Sequence, residues 1–139
     1  MLIVFDTDVV VSAMRSPSGA SAELLRQVRA GRLQLGVSVT LAMEYEAVCV
    51  RDMHLQATGL TLADATNYVD AIVAMAQPVQ VHFRWRPQLR DPADEMVLEA
   101  AVNARAAALL TFNLRHFQTA ARLFGLPVLS PGEFLRSLP

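Results

Sequence analysis

Hydrophobic and polar positions along the chain fall into short apolar runs and longer stretches with helical spacing. The first run, Leu2–Phe5, is apolar at every position, which is typical of a strand buried on both faces of a parallel sheet. Similar short runs predict further strands at 33–37, 78–83, 107–110 and 127–129. Because helical stretches alternate with these runs, the sequence predicts an α/β/α sandwich of three layers around a parallel sheet of four to five strands.

The helical stretches carry apolar residues three and four positions apart and begin at recognisable caps. Ser38 is an expected N-cap, Thr61 and Asp64 have the spacing of a capping box, and Asp91 followed by Pro92 begins another helix. The predicted helices are 8–14, 20–30, 39–53, 62–76, 91–105 and 134–137, with a turn or short helix at 114–117. Between strand 78–83 and helix 91–105 lies a basic loop that contains one aromatic residue, Trp85.

Length and composition suit one compact domain over residues 1–139. Hydrophobic residues make up 53% of the chain, yet the apolar runs are shorter than the roughly 20 residues of a membrane span. No basic segment precedes Leu2, so we expect neither a signal peptide nor a membrane anchor. The single cysteine, Cys49, excludes an internal disulfide and is expected to be a small buried hydrophobe. These features predict a cytoplasmic protein.

The charged residues of the chain exclude some classes of function. The net charge is −1, which excludes a strongly basic nucleic-acid binder but leaves room for a local cationic rim. All 12 basic residues are Arg and none is Lys. Chemistry that needs an amine, such as Schiff-base formation or a lysine that grips phosphate, is therefore excluded.

Acidic residues stand where an α/β sheet places its ligands. Asp6 and Asp8 follow the first strand, and ligands of such sheets bind beyond the carboxyl ends of the strands. An unpaired buried carboxylate is costly, so such a group is usually hydrogen-bonded, neutralised or bound to a metal. The alternative is that Asp6 or Thr7 only caps the following helix.

Two more acids are predicted to face the same region from helices. At 100° per residue Glu44 lies at the edge of an apolar stripe, whereas Glu46 lies further toward water. Asp94 shares the row of apolar residues that face the sheet, although it could also only complement the helix dipole. Such a cluster indicates either a hard-cation site for Mg²⁺ or Mn²⁺, or a phosphoryl-accepting aspartate.

Four segments, in order and spacing, resemble the PIN domain, especially the small prokaryotic type that includes VapC-like toxins of toxin–antitoxin pairs. Asp6-Thr7-Asp8-Val9 resembles the opening Asp-Thr-Asn-Val of that family. The other three segments are Ser38…Glu44-Tyr45, Asp91-Pro-Ala-Asp94, and Thr111-Phe-Asn113, which resembles the family's Val-Thr-x-Asp segment.

The resemblance implies a metal-dependent ribonuclease. Asp6, Glu44 and Asp94 would hold one or two Mg²⁺ or Mn²⁺ ions that activate a water for attack on an RNA phosphodiester. Asn113 would take part in catalysis, and a surrounding set would support it: Asp8, Ser12, Asp91 and Thr111. From position, we expect the RNA backbone to be held by Arg90 and Arg115, with Arg84 or Arg86 as further candidates, and Trp85 to stack on a base. His116 is a weaker candidate for a general base.

Two positions depart from the family pattern. Asp8 stands where the family usually has Asn, and Asn113 stands where many relatives have a fourth acid. Because an amide is a poorer metal ligand than a carboxylate, a site with one metal ion, or a weak second one, is to be expected.

Two rival functions remain open from the sequence. A haloacid-dehalogenase-like phosphatase would use Asp6 as nucleophile and Asp8 as acid, although the absence of Lys and the length of 139 residues weigh against it. A catalytically degenerate PIN domain would act only as a binding module. Family resemblance further implies an antitoxin partner and, together with the apolar helix 62–76, a homodimer.

Overall fold

The computed structural model describes residues 1–82 and 89–139. Within them the chain forms an α/β fold in which helices cover a parallel sheet. The strands are β1 (Leu2–Phe5), β2 (Gln34–Val37), β3 (Gln77–Pro78), β4 (Ala108–Leu110) and β5 (Val128–Leu129). The helices are α1 (Thr7–Arg15), α2 (Ala20–Arg29), α3 (Val39–Cys49), α4 (Asp52–Thr58), α5 (Leu62–Met75), α6 (Pro92–Asn103), α7 (Leu114–Phe124) and α8 (Pro131–Ser137). The predicted fold class is confirmed.

The sheet has the strand order β3-β2-β1-β4-β5, and every neighbouring pair is parallel. The chain therefore builds outward from β1 in one direction and later returns to add β4 and β5 on the other side. Such a reversal opens a crevice beyond the carboxyl ends of the two strands that flank it, here β1 and β4. The segments that follow these two strands begin at Asp6 and Thr111.

The register of β1 on β4 brings these two residues side by side. Phe5 pairs with Leu110, and the Asp6 amide donates to the Leu110 carbonyl at 2.8 Å. On the other side of β4, the Thr111 amide donates to the Leu129 carbonyl at 3.0 Å. Because the backbones are hydrogen-bonded up to the point where both strands end, the side chains at the crevice have little positional freedom.

Two tyrosines, the buried Tyr45 and the half-buried Tyr68, tie the helical layer to this end of the sheet. The Tyr45 hydroxyl of α3 donates to the Phe5 carbonyl, and the Tyr68 hydroxyl of α5 donates to the Val10 carbonyl at 2.7 Å. A buried hydroxyl that lost such a partner would cost about 1–3 kcal/mol. The tyrosines therefore fix how α3 and α5 sit against β1 and α1.

The predicted helix 39–53 is wrong near its end, where the structure has a break at residues 50–51. The helix α3 ends at Cys49, Arg51 is extended with φ −62° and ψ 140°, and a separate helix α4 begins at Asp52. The β-branched residues Val48 and Val50 favour a helix end at this point, and Asp52 supplies an acidic first residue for the next helix. The break turns α4 toward α1, which it contacts.

Two further boundaries differ from the sequence-based prediction. The strand predicted at 78–83 is only Gln77–Pro78, while 79–82 are not strand and Phe83 lies outside the described residues. The turn or short helix predicted at 114–117 is the longer helix α7, which continues to Phe124 and ends at Gly125 with φ 64°. In the part of the chain described here, no helix is both long and apolar enough to cross a membrane.

Candidate active site

A cleft of about 530 Å³ lies beyond the carboxyl ends of β1 and β4. Five carboxylates line it, contributed by three separate segments of the chain, together with one guanidinium and two imidazoles. The carboxylates are Asp6, Asp8, Glu44, Asp91 and Asp94, and the basic groups are Arg51, His54 and His116. The structure thus brings together the three acids that the family resemblance implies as metal ligands.

Asp6 is both a helix cap and the most buried carboxylate of the cleft. It is 5% exposed, and its Oδ1 accepts from the Thr7 amide at 2.7 Å at the start of α1. Its Oδ2 accepts from the Thr111 hydroxyl at 2.7 Å. Capping and a place in the cleft, which the sequence left as alternatives, therefore coexist in one side chain.

Asp8 joins the two segments that follow β1 and β4. Its Oδ2 accepts from the Phe112 amide at 3.0 Å and from the Asn113 side-chain amide at 3.1 Å. Its Oδ1 is buried and has no hydrogen-bond partner among the described residues. Asp8 therefore has one oxygen that is fully used and one that is desolvated without compensation.

Glu44 reaches the cleft from α3, and its neighbour Glu46 does not. The two side chains lie 200° apart around the helix, and Glu46 lines a different groove, between α3 and α5. Tyr45, between them in sequence, is fully buried and holds α3 on the end of β1. The burial and hydrogen bond of Tyr45 therefore determine that Glu44, and not Glu46, lines the cleft with Asp6.

The first turn of α6 supplies the remaining acids. The Asp91 side chain caps the helix by accepting from the Ala93 amide at 2.9 Å. Asp94 is 9% exposed, and its Oδ2 lies 3.1 Å from Nδ1 of His116 on α7. Since His116 uses Nδ1 for this contact, its Nε2 remains the nitrogen available to a ligand.

Burial and mutual repulsion raise the pKa values of these acids. Burial raises the pKa of Asp6 above its ordinary value, although hydrogen bonds from Thr111 and Thr7 oppose the rise. Burial and the charge of Asp6 raise the pKa of Asp8 to about 7. Burial, Asp6 and Asp91 likewise raise the pKa of Asp94. Burial is the largest cause at each acid, and repulsion from a neighbouring carboxylate adds to it at Asp8 and Asp94.

The donor set suits a hard divalent cation that keeps part of its water shell. Carboxylate and amide oxygens are preferred by Mg²⁺ and Mn²⁺, and the unpartnered Oδ1 of Asp8 is an oxygen without compensation. Among residues 1–82 and 89–139, no group of three or more His, Cys, Asp or Glu side chains is arranged to hold an ion directly. Proteins usually hold Mg²⁺ through one or two carboxylates and several waters, a mode of binding that does not need such a group.

The remaining residues implied by the sequence fall around the cleft. Thr111 is fully buried beneath it, and Asn113 lines it. Arg90 and Arg115 line an adjoining cavity of about 470 Å³ that shares Asp91, Asp94 and His116 with the cleft. Ser12 is half-buried on α1 and is not part of the lining. Trp85, Arg84 and Arg86 lie outside the described residues.

Sequence reasoning missed Arg51 and His54. Both enter the cleft because α3 stops at Cys49 and α4 starts two residues after Val50. His54 is buried, and burial together with Arg15 and Arg51 lowers its pKa, so the imidazole is neutral near pH 7. The β-branched residues near 50 and the acid at Asp52 were the signals that could have located the break.

Comparison with known proteins agrees with this geometry. The family model described as PIN domain matches residues 2–115, which include every carboxylate of the cleft. Among solved structures, the chain is similar to one in the crystal structure of VapBC2 from Rickettsia felis bound to a DNA fragment from their promoter, with a TM-score of 0.64 and 13% identity. That match covers 92% of this chain and 97% of the other. No curated protein sequence matches the chain. With the family model spanning most of its length, the chain belongs to the PIN domain family.

Proposed function

We propose that this protein is a metal-dependent endoribonuclease that cleaves single-stranded RNA in the carboxylate cleft. The observation that carries the proposal is the meeting of Asp6, Glu44 and Asp94 in one cleft at the switch point of the sheet. Burial raises the pKa of Asp6, and burial with the charges of Asp6 and Asp91 raises the pKa of Asp94, as is common for acids at functional sites.

Asp6, Glu44 and Asp94 would hold one or two Mg²⁺ or Mn²⁺ ions, directly or through water. When bound, the ion supplies an activated water for in-line attack on the phosphodiester and stabilises the leaving oxygen. The Thr111 hydroxyl, by donating to Oδ2 of Asp6, leaves that carboxylate in one fixed orientation. Asn113 and Asp8 hold the β4–α7 loop against the cleft, so that Asn113 faces the substrate side.

Cations at the rim would hold the RNA backbone. Arg51 lies in the cleft, and Arg90 and Arg115 line the adjoining cavity. We propose that a single strand crosses from the Arg51 wall of the cleft past the acids to Arg90 and Arg115. Guanidinium groups on both sides would offset the repulsion between phosphates and carboxylates.

The composition of the chain favours the nuclease over the rival phosphatase, because the chain contains no Lys to bind the transferred phosphoryl group.

We further propose that the protein works within a toxin–antitoxin pair and forms a homodimer. Support for an antitoxin partner comes from the similarity to VapBC2, whose structure was solved with promoter DNA. Support for a dimer comes from apolar side chains on α3 and α5, which stand exposed around a groove of about 520 Å³: Val39, Met43 and Val73. Apolar side chains exposed together in this way mark interaction surfaces.

Cleavage of a single-stranded RNA pool in the presence of Mn²⁺ or Mg²⁺ tests the function. We expect cleavage that EDTA stops and that Asp6→Asn or Asp94→Asn reduces by at least 100-fold, roughly the scale of losing a metal ligand or its charge. Glu44→Gln should fall in the same class, whereas Glu46→Gln, on the same helix but outside the cleft, should cleave like the wild type.

The rivals predict different results from the same preparation. Trapping of beryllofluoride on Asp6, or cleavage that persists in EDTA, would contradict the proposal and, in the first case, favour the phosphatase. RNA binding without cleavage under any divalent metal would favour a degenerate binding module.

A further inference from the structure

Phe112 is a large aromatic side chain that stands in solvent at the edge of the candidate active site. It is 52% exposed and lies in the loop between β4 and α7. It lines a cavity of about 640 Å³ together with Arg115, and this cavity shares Asn113 and His116 with the carboxylate cleft. The ring is therefore next to the acids without being one of the groups that face them.

The backbone beneath this ring is held by hydrogen bonds on every side. The Phe112 amide donates to Oδ2 of Asp8 at 3.0 Å. The neighbouring amides are held too, since that of Thr111 donates to the Leu129 carbonyl at 3.0 Å and that of Asn113 to the Thr111 hydroxyl at 2.9 Å. These bonds hold the backbone from which the ring projects in one place relative to Asp6 and Asp8.

A single exposed apolar residue is ordinary on a protein surface. Leu123 on α7, which is 74% exposed and does not line this cavity, is an example. Phe112 differs because its backbone amide is bonded to Asp8 of the carboxylate cleft and because a guanidinium, that of Arg115, lines the same cavity. A flat apolar face beside a cation is the combination that binds a nucleotide, with the base stacked and its phosphate held.

We infer that Phe112 is a stacking platform for a base of single-stranded nucleic acid whose phosphodiester lies in the carboxylate cleft, with Arg115 holding the adjoining phosphate. The inference rests on the proposed function and adds a subsite to it. Because stacking depends on the face of a base and not on its edge, the subsite tolerates different bases but requires that one be present.

Binding of a short fluorescent oligoribonucleotide to the full protein in EDTA tests the subsite without cleavage. We expect Phe112→Ala to weaken binding about tenfold, which is the scale of losing one stacked base. Phe112→Trp should retain most of the affinity, and Leu123→Ala should bind like the wild type. With metal present, the loss in Phe112→Ala should fall on KM and not on kcat.

A set of oligonucleotides, each with one abasic position, distinguishes stacking from a general effect on the loop. In the wild type, one abasic position should weaken binding about tenfold, and in Phe112→Ala that same position should cost nothing further. Equal binding by wild type and Phe112→Ala would overturn the inference, as would abasic losses that are the same in both proteins. Equal binding would leave a protein partner as the occupant of this surface.

Failure of the proposed function gives a different pattern. If no divalent metal supports cleavage while the abasic pattern still depends on Phe112, the nuclease proposal fails and the subsite stands. If cleavage occurs and the abasic pattern does not depend on Phe112, the subsite alone fails. If the wild-type protein binds no oligonucleotide either in EDTA or with Mn²⁺, the subsite is overturned together with the substrate class.

Discussion

The side-chain amide of Asn113 donates to Oδ2 of Asp8 at 3.1 Å and so joins the segment that follows β4 to the segment that follows β1. Both residues depart from the family pattern, in which an amide follows the first strand and an acid follows the fourth. The two departures therefore lie in contact and form one pair of an amide and a carboxylate with the roles exchanged. Seen in the sequence as two separate anomalies, they are one compensated change in the structure.

Because Asp8 and Asn113 are in contact, we predict that exchanging the two residues has non-additive effects on stability. Asn113→Asp alone places two carboxylates in contact, and we expect the free energy of unfolding at pH 8 to fall by about 1–3 kcal/mol. Asp8→Asn alone should cost less, because two amides can still pair. The double variant Asp8→Asn/Asn113→Asp should recover most of the loss in urea unfolding. If the free-energy losses of the two single variants add up in the double variant, Asp8 and Asn113 are not energetically coupled.

Stability of the metal-free protein should depend on pH through the crowded acids. The pKa of Asp8 rises from 3.8 to about 7, so the folded state binds a proton that the unfolded state has lost. A raised pKa favours the folded state fully below pH 3.8, and this contribution is lost as the pH rises through 7. Asp6 and Asp94, whose pKa values are also raised, act in the same direction.

Thermal unfolding in EDTA between pH 5 and pH 8 measures this effect. We expect the part of the Tm that these acids contribute to fall as the pH rises across that range. Excess Mn²⁺ should restore the Tm at pH 8, because a bound cation favours the folded state with ionised acids. Asp8→Asn should flatten the decline. A metal-free protein whose Asp8→Asn variant shows the same pH dependence as the wild type would contradict the account of the cleft.

Most acids of the candidate site could be predicted from the sequence, because they lie at the ends of strands or on the sheet-facing sides of helices. Asp6 follows a strand with no polar residue in it, and the helical angle alone separates Glu44 from Glu46. The order of strands and the meeting of Thr111 with Asp6 required the register of β1 on β4, which no local pattern contains. The family resemblance assigned Thr111 and Asn113 to the same site as Asp6, but the sequence analysis predicted no strand order.

Two errors in the predicted helices have different causes. The helical periodicity of 39–53 continues through Val50 and does not mark the break there, where α4 turns to pack on α1. Because the break was missed, Arg51 and His54 were absent from the predicted site. The helix α7 was predicted too short although Phe117, Ala120 and Ala121 have helical spacing before Gly125, so that signal was present in the sequence.

The proposed dimer predicts that a charge on its apolar face produces monomers. Met43 is 66% exposed beside the groove between α3 and α5, and Met43→Glu should place a carboxylate in the contact. Met53→Glu is the matched control, since Met53 is 61% exposed on α4 and does not line that groove. Sedimentation at micromolar concentration should give a dimer for wild type and Met53→Glu and a monomer for Met43→Glu. A wild type that sediments only as a monomer would remove the dimer.

We propose that Asp6, Glu44 and Asp94 share a divalent cation, and a crystal soaked in Mn²⁺ shows whether they do. Anomalous difference density from manganese should lie in the cleft within direct or water-mediated reach of these carboxylates, and it should be absent from crystals of Asp6→Asn. Density elsewhere on the protein, or an empty cleft at a Mn²⁺ concentration that supports RNA cleavage, would contradict the claim.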